Sequence, residues 1–246
     1  MNRILCSISS DFVQQFRLNF IEKDRWKYLL KGLGVTLEIT FLAVIIGILI
    51  GTIVAIIRTT YDTHGAETRN QFLKFILSVL NLLCKIYLTV IRGTPVVVQI
   101  LISYYIIFVS SNNKILIAVI TFGFNSGAYV AEIIRSGIQS IDRGQYEAGR
   151  SLGFSYVKTM IYFIAPQAFK NVLPTLANEF IVLLKETAVS GYIALEDLTK
   201  GGDIIRSVTY SPIMPLFAVA LIYLVLVMFF TWLVGNLERS LRKDER

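Results

Sequence analysis

Charge is scarce in this chain. Asp, Glu, Lys and Arg make up 17% of its 246 residues, against roughly a quarter in soluble domains. Histidine occurs once, as His64 in a polar stretch beside Asp62 and Glu67. With no H-E-x-x-H, a zinc centre of that type is excluded. The two cysteines, Cys6 and Cys84, stand alone without a C-x-x-C, which excludes a disulfide framework. No G-x-x-x-x-G-K-[ST] loop is present to cradle nucleotide phosphates, and no G-x-S-x-G elbow presents a serine nucleophile. No catalytic residue can be named.

What the chain has in excess is apolar mass, 54% of residues, with a mean hydropathy of +0.63. A soluble domain of this size could not hide that surface, and disordered chains are poor in such residues. The mass is gathered in long runs, so the chain is read as an integral membrane protein. The net charge of +7 then reads as Lys and Arg retained in cytoplasmic loops rather than as a nucleic-acid footprint. The apolar stretch 4–8 is too short for the core of a cleavable signal. Insertion is expected to rely on the first spanning helix.

A span needs about 20 mostly apolar residues. Five are expected, over residues 35–57, 93–109, 115–134, 169–193 and 213–234. The segment 1–34 precedes them, with an amphipathic helix on the membrane surface around residues 20–30. Residues 58–95 and 135–170 and a tail over 237–246 form the cytoplasmic parts. With that assignment fourteen Lys and Arg lie inside and nine outside, which favours an external N-terminus and a cytoplasmic C-terminus. In the first span Gly47 and Gly51 form a G-x-x-x-G that admits a close helix, either within the chain or in a dimer.

Between the third and fourth spans a polar loop, 135–165, stands out. Asp142 is a candidate N-cap. Tyr146, Glu147 and Arg150 give a short amphipathic helix, and Ala148, Gly149 and Gly153 leave one flank nearly bare. Glycine in a helix costs up to about 1 kcal/mol relative to alanine, so its use there argues for close packing. The partner is either another protein or the chain's own bundle. Pro166 marks the break before the next span.

At these residues the sequence resembles a known family. GQYEAGRSLG at 144–153 is similar to the E-A-A-x-x-x-G loop of ATP-binding-cassette (ABC) importer permeases, with Gly149 standing where the pattern has its second alanine. GVTLEIT at 34–40, IRGTPVVVQ at 91–99, NSGAYVAEIIR at 125–135, APQA at 165–168, NEFI at 178–181 and KET at 185–187 resemble, in order, the permeases of polar-amino-acid uptake. The likeness covers roughly residues 26–240 and leaves the first 25 without an account.

The resemblance implies an all-α fold, that of a type I ABC importer permease, in the bacterial cytoplasmic membrane. It implies a transport subunit and not an enzyme. ATP and Mg would be used by partner ATPase subunits, a binding protein outside the membrane would deliver the amino acid, and a second permease chain, identical or a sister, would complete the pore. By that likeness Gly144, Glu147, Ala148, Gly149, Ser151, Leu152 and Gly153 make the ATPase contact. Asn125, Ser126, Tyr129 and Glu132, with Asn178, Glu179 and Lys185, are candidates for the amino-acid path, since charges within a span face protein or water. The bland alternative is that Lys185 pairs with Glu132 or Glu179 to brace the bundle. Arg92 is read as an interface anchor. Competing readings are a permease for another solute and an ion-coupled transporter whose intramembrane acids carry protons.

Overall fold

The computed structural model describes residues 11–64 and 70–243, and the described residues form helices joined by short turns, with no strand among them. A π-helical turn, Arg17–Ile21, and a 3-10 turn, Glu22–Asp24, lead into α1, Trp26–His64. Next come α2, Gln71–Arg92, and α3, Val96–Ile102, which runs on as a π-helical turn to Ile107. α4 spans Lys114–Gln139 and α5 Arg143–Ser151; α6, Tyr156–Thr159, continues through a π-helical turn into α7, Ala165–Glu186. A 3-10 segment, Thr187–Ile193, precedes α8, Leu198–Thr209, and α9, Ile213–Lys243, closes the chain.

Among the described residues four stretches are long and apolar enough to cross a membrane: Trp26–Thr63, Gln71–Arg92, Lys114–Gln139 and Ile213–Leu241. Three of these contain segments expected from the sequence. The second, α2, lies where the sequence suggested a cytoplasmic connection, because Lys74, Asn81 and Lys85 punctuate its apolar run. Asn70 caps it, its Oδ1 accepting from the amides of Phe72 (3.0 Å) and Leu73 (3.4 Å). The expected span 169–193 falls on α7 and the 3-10 segment after it, and the expected span 93–109 is the short apolar stretch Val96–Ile107. Pro166 sits in the first turn of α7 directly after the π-helical turn Met160–Ile164, so the helix runs on through the position where a break was expected.

The expected surface helix around residues 20–30 is broken. Lys23 and Asp24 take left-handed backbone angles, both with φ 54°, so the chain turns there before α1 starts. Asn19 is fully buried and ties this segment down: its Oδ1 accepts from Thr209 Oγ1 (2.8 Å) and its Nδ2 donates to Ser211 Oγ (3.3 Å).

The bundle is organised by α1 lying along α4. A Cβ on Gly51 would come 2.5 Å from Val130 Cγ1, and one on Gly47 2.9 Å from Ser126 Oγ. From the other side, a Cβ on Gly123 would meet Ile46, and one on Gly127 would meet Ile50 and the Tyr87 hydroxyl. The G-x-x-x-G of the first span is thus used within the chain. Above this seam Ile39, Ala43, Phe122, Ile100 and Leu183 form the main apolar core; below it Val54, Cys84, Leu88, Ala128 and Ala131 form another.

A third cluster, of Phe20, Leu29, Leu198, Ile205 and Val219, holds α8 against α1 and α9. Contact here is so close that a Cβ on Gly32 would collide with the Asp197 carbonyl, and one on Gly201 would lie 2.6 Å from the Tyr28 carbonyl. Asp197 caps α8, its Oδ1 accepting from the Lys200 amide (2.9 Å), while Leu198 N donates to Thr36 Oγ1 (3.1 Å). The other Asp197 oxygen, Oδ2, is buried without a hydrogen bond. Burial pushes this carboxyl up to about 6, against the lowering effect of its amide donors.

Because the folded-state value lies above the unfolded one, the folded chain holds the extra proton between about pH 4 and 6. Stability contributed by that proton is therefore lost as pH rises through 6. Thermal unfolding in detergent should give a higher midpoint at pH 5 than at pH 7.5, reflecting a stability difference of about 1.4 kcal/mol. Asp197→Asn, which keeps the capping oxygen, should remove most of that slope.

Candidate functional site

Tyr129 and Glu132 of α4 begin the site, and Ser126 one turn earlier is fully buried where α4 meets Gly47 of α1. Ser126, Tyr129 and Glu132 follow one another at helical spacing, and Ser136 and Ser140 extend the row. Facing them, α7 contributes Asn171, Thr175 and Glu179, each four residues apart. Between the two rows lies a half-open cavity of about 550 Å³, lined by Arg92, Tyr129, Glu132, Ser136, Thr175 and Glu179 among others. Ser126 Oγ donates to Glu179 Oε1 (3.0 Å) at one end, and Asn171 Nδ2 donates to Ser140 Oγ (3.0 Å) at the other.

Arg92 reaches this cavity from the end of α2. Its guanidinium lies 5.6 Å from the centre of the Tyr129 ring and 3.7 Å from Glu132 Oε2. Glu132 is also paired with Arg135 (3.2 Å), whose Nε approaches Asp62 of α1 at 3.5 Å. An ionic chain, Arg92–Glu132–Arg135–Asp62, thus joins α2, α4 and α1. Arg92 is therefore a wall of the cavity rather than an isolated anchor. Glu179 has no cationic partner among the described residues; a hydroxyl is its contact.

Asn125 turns aside from this cavity. Its Nδ2 donates to Gln99 Oε1 (3.0 Å), and Gln99 Nε2 in turn donates to the carbonyls of Ile91 (2.8 Å) and Thr94 (3.1 Å) and to Thr94 Oγ1 (2.9 Å). That network pins the Gly93-Thr94-Pro95 turn to α4. Asn178 and Lys185 are exposed on α7, outside the cavity lining, and Lys185 pairs with neither Glu132 nor Glu179. Four polar lining residues were not expected from the sequence, Ser136 and Ser140 of α4 and Asn171 and Thr175 of α7. A polar stripe at i, i+4, i+8 ending on Glu179 was the available signal.

The polar loop forms α5, capped by Asp142, whose Oδ1 accepts from the Gly144 amide (2.6 Å). Its end is a left-handed glycine cap: Gly153 has φ +85°, its amide donates to the Arg150 carbonyl (3.0 Å), and the Phe154 amide donates to the Gly149 carbonyl (3.2 Å). Gly153 thus lies past the helix and shares no face with Gly149. Gly149 itself is buried, and a Cβ there would come 2.7 Å from Thr159 Cγ2. Its small size serves the fit of α5 onto α6 in the same chain. Gly144, Glu147, Ala148 and Ser151 are exposed, and Leu152 is 71% exposed on an otherwise polar helix.

The tyrosine rings of residues 146 and 156 meet edge to face at 6.0 Å, and the Tyr156 hydroxyl lies 2.7 Å from Thr63 Oγ1 of α1. Gly149→Val should destabilise the protein by about 1–3 kcal/mol through overpacking, seen as a lower midpoint in thermal unfolding of the purified protein.

The arrangement offers no nucleophile with a base, and no group of three metal-ligating side chains occurs among the described residues. It offers a polar passage and an outward-facing helix. Residues 74–243 match the family of binding-protein-dependent transport system inner membrane components. An arginine transport system permease protein of Bacillus subtilis (strain 168) is 35% identical over 221 residues, 89% of this chain and 94% of its own length. A putative glutamine transport system permease protein of Rickettsia typhi is 34% identical over 218 residues, 87% of this chain and 93% of its own. A crystal structure of an amino acid ABC transporter with histidines superposes with a TM-score of 0.78 at 41% identity, covering 90% of this chain and 98% of that one. Family match, relatives and fold agree, and the chain belongs to the inner membrane components of binding-protein-dependent transport systems, the permeases of ABC importers.

Proposed function

We propose that this chain is the permease subunit of an importer for a polar amino acid, and that the amino acid passes through the cavity between α4 and α7. The observation that carries this reading is the lining itself. Arg92 offers a cation and Glu179 an anion across one space of about 550 Å³, within the size that small-molecule sites take. A zwitterion needs both signs, and an ion-coupled pathway would not need the guanidinium. The arginine and glutamine systems of the relatives support the same substrate class.

By this reading the pore is completed by a second permease chain, and α5 docks on an ATPase subunit that binds ATP and Mg. The chain sits in the bacterial inner membrane with its N-terminus outside and its C-terminus in the cytoplasm. A binding protein outside delivers the amino acid. Docking on α5 rests on Glu147, Ala148, Ser151 and Leu152, because Gly149 is occupied by Thr159. ATP binding drives transport only by favouring one conformation of the pore over another, and α5 is where that preference enters.

Two experiments on the complex reconstituted in vesicles with its ATPase and binding protein test the parts separately. Glu179→Gln should raise the half-saturating amino-acid concentration about tenfold, the worth of a hydrogen bond to a charged group, with ATPase docking intact. Unchanged uptake at every concentration would remove Glu179 from the path. Leu152→Asp should leave the thermal midpoint of the permease within about 0.5 kcal/mol and abolish amino-acid-stimulated ATP hydrolysis. Full stimulation would remove α5 from the ATPase interface.

A further inference from the structure

A second cavity, of about 460 Å³, opens beside the first and is lined by Arg58, Lys85, Leu88, Thr89, Arg92, Gly93 and Glu132. Its charge does not balance. Three cations face one carboxylate, and Glu132 is already shared between Arg92 at 3.7 Å and Arg135 at 3.2 Å. Arg58 and Lys85 have no ion pair or hydrogen bond among the described residues, and Arg58 Nε is buried without a partner. Both cations belong to helices apolar enough to cross a membrane, where an uncompensated charge is costly and is normally paired or solvated. An anion in the cavity would supply the missing charge.

Lys85 also stands on a face made for lipid. Leu82, Leu83 and Ile86 around it are each more than half exposed, as are Phe72, Leu73 and Phe75 earlier on α2. A phosphate diester drawn to Arg58 and Lys85 would leave its acyl chains lying along those residues. Basic pockets between spanning helices bind lipid headgroups in this way. We propose that this cavity is a binding site for a phosphate-type anion, held by Arg58 and Lys85 with Arg92 at its inner wall, and that its occupant in the membrane is the headgroup of an anionic phospholipid.

The test uses the full chain in neutral detergent, followed by thermal unfolding with added short-chain phosphatidylglycerol, phosphatidylcholine or inorganic phosphate. Phosphatidylglycerol at a hundredfold excess over its Kd should raise the midpoint by roughly 5–10 °C, and phosphatidylcholine should not. Lys85→Gln, on an exposed side chain, should reduce that shift, and Arg58→Gln with Lys85→Gln should abolish it; Lys74→Gln, which removes a charge from the same helix outside the cavity, should retain it. An equal response to both lipids, or a double variant that still responds, overturns the site. A full shift with inorganic phosphate alone keeps the anion site and overturns the lipid as its occupant. If the double variant instead loses a dimer seen by light scattering and keeps the phosphatidylglycerol shift, the cations serve a second copy of the chain and the proposal falls.

Discussion

Everything in this bundle depends on how closely α1 and α4 approach. Glycines on both helices, Gly47 and Gly51 against Ser126 and Val130 and Gly123 and Gly127 against Ile46 and Ile50, remove the side chains that would hold the backbones apart. In lipid there is no hydrophobic drive between two apolar helices, so packing of this kind is what holds them. Spending one face of α4 on α1 leaves the other face to carry polar groups inward. Tyr129, Glu132 and Ser136 then stand opposite Thr175 and Glu179 with a cavity between them. A wider seam would leave the same residues without a wall.

The charged groups follow from that geometry. Glu132 lies between two arginines that arrive from different directions, one at the end of α2 and one on α4 itself. Arg135 passes the connection to Asp62 near the end of α1. The ionic chain therefore runs beside the cavity, from the turn that begins Gly93-Thr94-Pro95 to the region where α6 touches α1 through Tyr156 and Thr63. Glu179 is left out of it and faces the space with a single hydroxyl donor.

Much of this was legible in the sequence, and the failures have physical causes. Long uncharged runs revealed α1, α4 and α9, and the Asp142 cap and following small residues revealed α5. α2 was hidden because Lys74, Asn81 and Lys85 look like loop residues to a count of charges, while Phe72, Leu73, Phe75, Leu82, Leu83 and Ile86 make most of its exposed surface apolar. Gly149 and Gly153 read as one bare flank, yet four-residue spacing implies a shared face only inside a helix, and Gly153 has already left it. Asn178 and Lys185 were gathered with Glu179 because they share its helix. One position along a helix turns a side chain by about 100°, enough to take Asn178 out of the cavity that Glu179 enters.

The cap at Gly153 bears on how a load would travel. Phe154 is bonded back to the Gly149 carbonyl and its ring packs on Phe163 at 5.2 Å. With Asp142 fastening the other end, the short helix has no loose joint at either terminus. A displacement imposed at Leu152 would pass through the Phe154–Phe163 contact to the π-helical turn that leads into α7, the helix bearing Glu179. The stiffness of one nine-residue helix would thus set how far the far wall of the cavity moves for each push.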